Sequence, residues 1–487
     1  MQHLNNLEPK RVMAYFEEIC SIPHGSGNTK EISGYCADFA RAHGFEYYQD
    51  DMNNIIIICP ASEGYESSPA VIIQGHLDMV CEKEDGYDFD FKKDGLNLRI
   101  NGDFIDAEGT TLGGDDGIAV AMALALMDSD LPHPKIEAVF TVDEEIGMLG
   151  AAKIDLSMLT GKTLINIDSE DEGVLTVGCA GGSCTKCVIP LMYEKRTGNV
   201  YKITIDGLFG GHSGVEINKG RANADILMGR LLFELANFCD ISISELSGGL
   251  KDNAIPVSSS AVIVCDCDFS ETLEKYRKIF EKEYKSADGG IKISVKPLGK
   301  YERSVLVKNC AKRIVSFLIS VPNGVINMSR DIDGLVQTSL NLGILTLTDN
   351  ALEASFSVRS SLGSEKELLN TRLGAITDSF GGYIEISGDY PAWEYNDNSK
   401  LRNLMVEVFK EQYGKEPKIE AIHAGLECGI FCGKVNGLDC VSLGPDILEI
   451  HTPRERLSIS STARVWKFIT EVLKRACQQD IVDRRKK

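Results

Sequence analysis

Apolar positions follow two alternating rhythms through the first 190 residues. Lys10–Ile22 and Thr29–His43 repeat at helical spacing, whereas 54–59, 70–74, 136–142 and 163–167 are short continuous runs rich in Val and Ile. Uniformly apolar strands of this kind, interleaved with helices such as 118–127, predict a largely parallel sheet covered on both faces. The expected class is therefore α/β.

The rhythm changes in the polar stretch 190–199, read as a connector. Beyond it the pattern predicts strand 200–205, helix 221–239, strands 241–245 and 261–266, helix 271–284 and strand 291–295, a split βαβ arrangement. A partial echo follows, with helices at 305–320 and 365–379 and strands at 336–347, 351–359 and 383–387. From Ser399 the α/β rhythm resumes. The expected organisation is one α/β domain built from 1–190 and 391–487, interrupted by an inserted, enlarged α+β domain at 191–390.

Composition narrows the functional classes. With 487 residues, 43% hydrophobic and 25% charged, the chain has globular composition and length for more than one domain. Its formal charge of −21 disfavours nucleic acid and anionic lipid as partners. The longest apolar run, 118–127, falls well short of the ~20 residues a membrane span needs. The fifteen cysteines follow no framework and suit a reducing, cytoplasmic setting. Cys184 and Cys187 form one C-x-x-C pair, but without a second pair the reading is ordinary strand cysteines.

Candidate chemistry gathers where the apolar runs end. The run 70–74 leads into Gly75, His76, Leu77 and Asp78, and alternation along a strand lets Asp78 orient His76. Gly113-Gly114-Asp115-Asp116-Gly117 opens the helix 118–127, where one Asp is surplus to a cap. The run 136–142 ends in Asp143, Glu144 and Glu145, and the run 163–167 in Asp168, Ser169 and Glu170. Each alone has a bland reading: an incidental His, a helix cap, an acidic turn. Together they place His and carboxylates at one sheet edge, where open α/β sheets bind ligands.

These segments, GHLDMV, GGDDGIA, DEEIGMLGA and NIDSED, resemble in order and spacing the di-zinc aminopeptidase-like family of carnosinases, tripeptidase T and acylases. The likeness spans essentially the whole chain, including the insertion, which corresponds to that family's lid. It implies His76 and Asp168 on one divalent ion, Glu145 and His451 on the other, and Asp115 bridging. The ions are zinc in the first instance, with manganese or cobalt accepted by the same donors. Asp78 is implied behind His76, and Glu144 as general base. In the insertion, His212 of GGHSG resembles the lid histidine that polarises the scissile carbonyl, often across a homodimer. Asn253 and Arg359 resemble positions holding a substrate carboxylate, and His423 and Gly425 lie in a glycine-rich loop near the substrate. The implied activity is metal-dependent hydrolysis of unblocked dipeptides, Xaa-His dipeptides such as carnosine included. The alternatives are a tripeptidase or N-acyl-amino-acid deacylase, or a metal- or peptide-binding protein that has kept the fold.

Overall fold

The computed structural model describes residues 4–485, which divide into two units. One comprises the chain up to Gly178 with Tyr395–Ala421 and Leu426 onward; the other is Cys179–Glu394 with Ile422–Gly425. No helix among the described residues is long and apolar enough to cross a membrane.

An eight-stranded sheet forms the centre of the first unit. Its middle strands, Ile136–Thr141, Val71–His76, Thr163–Asn166 and Asp439–Ser442, run parallel in that order. All residues of Val71–His76 and Ile136–Thr141 are buried, which explains their unbroken apolar sequence. The flanks are antiparallel: Ile55–Cys59 pairs with Ile136–Thr141, and Val174–Cys179 with Asp439–Ser442. Because the middle strands share one direction, His76, the 142–145 turn and the 167–168 turn leave the sheet at the same edge.

The helix Gly114–Met127 is buried at every position except Asp115, as a helix apolar on all sides must be. Its first residues are irregular: Gly113 is left-handed at φ 68, and Asp115 is extended at φ −83, ψ 103. Asp115 therefore projects from the turn ahead of the regular helix.

The second unit holds a nine-stranded sheet whose paired strands are antiparallel. Helices Ala224–Phe238, Lys308–Ser320 and Gly363–Ser379 cover it, and their Leu231, Phe317 and Leu373 share one core with Ile203, Ile263 and Phe356. Two expectations are corrected here. Gly181–Pro190, read as the end of the first domain, pairs on either side with Ala351–Ser360 and Tyr383–Tyr390, so it belongs wholly to this sheet. The supposed connector at 190–199 lies mostly in a strand, Tyr193–Asp206, which forms a long ribbon with Lys292–Leu306. The first part of that strand, 193–197, is exposed or half-buried, so it carries the polar sequence of a linker. Cys184 and Cys187 stand an odd number of positions apart on one strand and face opposite sides.

Candidate functional site

In the first unit two groups of ligand-type atoms converge, His76 with Asp115 and Asp168, and Asp115 with Glu145 and His451; within each group the atoms lie within 4.8 Å of one another. His76 Nε2 stands 3.1 Å from Asp115 Oδ1 and 3.6 Å from Asp168 Oδ1. His451 Nε2 stands 3.2 Å from Asp115 Oδ2 and 3.1 Å from Glu145 Oε1. Asp115 thus offers one oxygen to each group. The His451–Glu145 contact has the distance of an ion pair but not the alignment of a hydrogen bond, since Glu145 Oε1 is buried without a hydrogen-bond partner.

The donors suit divalent cations. A carbonyl only accepts, so the 2.9 Å contact from His76 Nδ1 to the Asp78 carbonyl places a proton on Nδ1. Burial disfavours the charged ring, but hydrogen bonds to Asp115 and Asp168 hold its pKa well above the ordinary value, so Nε2 carries a proton that a cation would displace. Around it, carboxylates are crowded beyond what two imidazoles can balance. Burial, reinforced by neighbouring acidic groups, pushes Glu144 up to about 9, Asp168 to about 6 and Glu170 to about 7. Asp116 is likewise held well above the ordinary carboxylate range, chiefly by burial. Asp115 moves the other way: burial opposes its ionisation, but hydrogen bonds from His451 and His76 outweigh it. Two like charges 4 Å apart repel by about 4 kcal/mol at a protein-surface dielectric, so divalent charge would relieve this cluster substantially.

Buried hydrogen bonds fix the cluster. Asp116 Oδ2 accepts from the His76 amide at 3.1 Å, an approach possible because residue 75 is glycine: a Cβ there would stand 2.5 Å from that oxygen. The surplus Asp of GGDDG thus braces the strand end. Asp78 acts differently from expectation. Its carboxylate is 3.6 Å from His76 Nδ1, too long for a hydrogen bond, and instead accepts from Ser26 Oγ at 2.8 Å and the Glu144 amide at 3.0 Å. The backbone carbonyl of Asp78 orients the imidazole, while its side chain secures the turn carrying Glu144 and Glu145.

Glu455, which sequence reasoning missed, makes the most extensive brace. Almost fully buried, it accepts from the amides of Leu112, Gly113, Gly114 and Asp115 at 2.8, 3.1, 2.8 and 3.3 Å. A buried amide left unpaired costs about 1–3 kcal/mol, so this one carboxylate largely determines the path of the loop presenting Asp115. Glu427, just after the glycine-rich loop of His423 and Gly425, is fully buried and accepts from Gln74 Nε2 at 2.6 Å and Thr141 Oγ1 at 2.7 Å. It supports the floor of the sheet edge.

The second unit assembles a different set. GGHSG and DNAIP meet as a two-stranded pair, with His212 opposite Ala254 and the Ser213 amide donating to the Asn253 carbonyl at 2.9 Å. The amides of Gly214 and Val215 both donate to His212 Nδ1 at 3.2 Å, leaving the neutral ring with its proton on Nε2. Burial, then the charge of Arg359, lowers the His212 pKa and keeps the ring neutral. His423 bonds Ser339 Oγ through Nε2 at 2.7 Å and is pushed down to about 3 by burial and Arg359. Arg359 lies across the strand ladder from Ser339 and donates to Tyr390 Oη at 2.9 Å, while its Nε is buried without a partner. A Cβ at position 214 would meet the His423 carbonyl at 2.7 Å, so the two loops touch at a glycine. His423 and Gly425, expected in the first domain, thus belong to the second unit. His212 and the exposed Asn253 line a recess of about 870 Å³.

The sequence pattern of Peptidase family M20/M25/M40 matches residues 72–475. The cytosol non-specific dipeptidase of Escherichia coli (strain K12) is 35% identical over 486 residues, covering 97% of this chain and 99% of that protein. The crystal structure of aminoacylhistidine dipeptidase from Vibrio alginolyticus superposes with a TM-score of 0.91 at 33% identity, covering 97% of this chain and 98% of that one. Aminopeptidase PepT from Bacillus cereus ATCC 10987 superposes at 0.57 with 16% identity over 96% of this chain and 99% of its own, a likeness of fold alone. On this full-length similarity, the chain belongs to peptidase family M20/M25/M40.

Proposed function

We propose that the protein hydrolyses unblocked dipeptides, Xaa-His dipeptides such as carnosine included, with two divalent ions per chain. One ion would be held by His76 and Asp168, the other by Glu145 and His451, with Asp115 shared. The observation carrying this reading is the sharing itself: one half-buried aspartate turns separate oxygens toward two separate groups. The names of the two full-length relatives support the dipeptide class.

When bound, the ions would supply Lewis acidity toward a peptide carbonyl and a water, and positive charge favouring the ionised form of nearby carboxylates. The chain's own groups do the rest. Glu144, the acidic neighbour of Glu145 left outside both ligand groups, takes a proton from the attacking water and delivers it to the leaving amine. His212 donates its Nε2 proton in a hydrogen bond to the scissile carbonyl as negative charge develops there. Arg359 presents its planar donor face to the substrate carboxylate, aided by Asn253, His423 and Gly425. A free carboxylate read at one end limits substrate length. Zinc is the expected metal, the cytoplasm the expected compartment and a homodimer the expected assembly. Exposed Leu250 and Val257, which line the recess with His212, support cover by a second copy.

The deciding experiment is a kinetic screen of carnosine, other Xaa-His dipeptides, tripeptides and N-acylated amino acids, with and without chelator. Dipeptides should be cleaved fastest, and chelation should abolish turnover until zinc or manganese is restored. Hydrolysis undiminished in chelator sinks the metal mechanism. Preference for tripeptides or acylated substrates moves the protein to the alternative activities, and no hydrolysis at saturating metal leaves a binding protein.

A further inference from the structure

Cys239, Cys265 and Cys267 of the second unit belong to neither group described above, yet their sulfurs all lie within 4.8 Å of one another. Two backbone segments deliver them. Cys239 follows the last turn of helix Ala224–Phe238, its amide donating to the Leu235 carbonyl at 2.7 Å. Cys265 follows strand Ser259–Val264, with its amide bonded to the Asn199 carbonyl at 2.9 Å. Cys267, two residues further on, returns its sulfur to 3.5 Å from that of Cys265. This exceeds a disulfide bond of about 2.05 Å and is close to the about 3.8 Å separating two thiolates on one tetrahedral zinc with Zn–S bonds of about 2.3 Å. Cys239 and Cys265 are buried while Cys267 is exposed, so the group has a packed floor and an open mouth.

We propose that Cys239, Cys265 and Cys267 form a three-thiolate site for one soft d¹⁰ cation, zinc(II) or copper(I), distinct from the histidine and carboxylate ligands. Soft sulfur donors select such ions, and three protein ligands leave the solvent-facing position to water or a small thiol. Each thiol entering the site releases its proton to solvent as its sulfur–metal bond forms, with no change of oxidation state.

Cadmium(II) added to the reduced full-length chain tests this, because thiolates produce an ultraviolet sulfur-to-metal charge-transfer band that His and carboxylate ligands do not. The band should saturate at one cadmium per chain, reverse with excess zinc(II), and disappear in both Cys267→Ser and Cys239→Ser. Since Cys267 is exposed, its variant should retain wild-type circular dichroism and wild-type dipeptide hydrolysis in added zinc. Absence of a band in the wild type overturns the site. So does a band surviving in Cys267→Ser, which would put the ion on other cysteines. A mass lower by two hydrogens in the purified chain, mapped to a Cys265–Cys267 disulfide that resists reduction, overturns it as well.

Discussion

The two units present functional side chains in opposite ways. In the first, His76, Glu145 and Asp168 stand at or just beyond the ends of buried parallel strands, and carboxylates from distant parts of the chain brace the backbone beneath them. In the second, His212 lies on a two-residue strand beside exposed Val215, and Asn253 is itself exposed. In the proposed function the difference would correspond to two tasks. Ion ligands must hold their geometry against mutual repulsion, which demands rigid, fully paired backbone. Groups that admit and release a substrate work from the more mobile class of segment.

Replacement of Glu144 by Gln tests this division most severely. The side chain keeps its shape but can no longer accept a proton, so kcat should fall about 10²- to 10⁴-fold while bound metal, measured by atomic emission, stays at the wild-type level. Metal loss in this variant would make Glu144 a ligand. His212→Asn should lower kcat about 10²- to 10³-fold, the scale for one donor to a developing oxyanion, again with metal retained. Were its metal content to fall, the second unit would share in holding the ions and the contrast would fail. The smallest effect is expected from Glu455→Gln, in which an amide replaces the acceptor of four backbone N–H groups. Metal affinity should weaken about 10- to 100-fold by competition with a chromogenic chelator, with KM at saturating metal unchanged. A raised KM with unaltered metal affinity would separate Glu455 from the cation ligands.

Much of the first unit was legible because the physics producing it also marks its sequence. Strands buried on both faces must be apolar throughout, so a polar residue ending such a run stands out, as His76 and Asp168 do. Glu455 left no mark: its partners are backbone amides more than 300 positions away, and every residue except proline has an amide. Asp78 was read through its side chain, whereas its carbonyl makes the contact to His76. In the second unit the first part of strand Tyr193–Asp206, before Gly198, is exposed or half-buried and carries no apolar run, so 190–199 passed for a connector. Gly181–Pro190 follows strand Val174–Cys179 almost without a break, which hid the change of sheet.

The four-amide grip of Glu455 also has a consequence for biosynthesis. Since the loop bearing Asp115 depends on a residue 340 positions further along the chain, ribosomal translation must pass that codon before the loop can set. A nascent chain arrested short of that codon could fold its parallel strands, yet the aspartate proposed to join two ions would remain on an untethered loop.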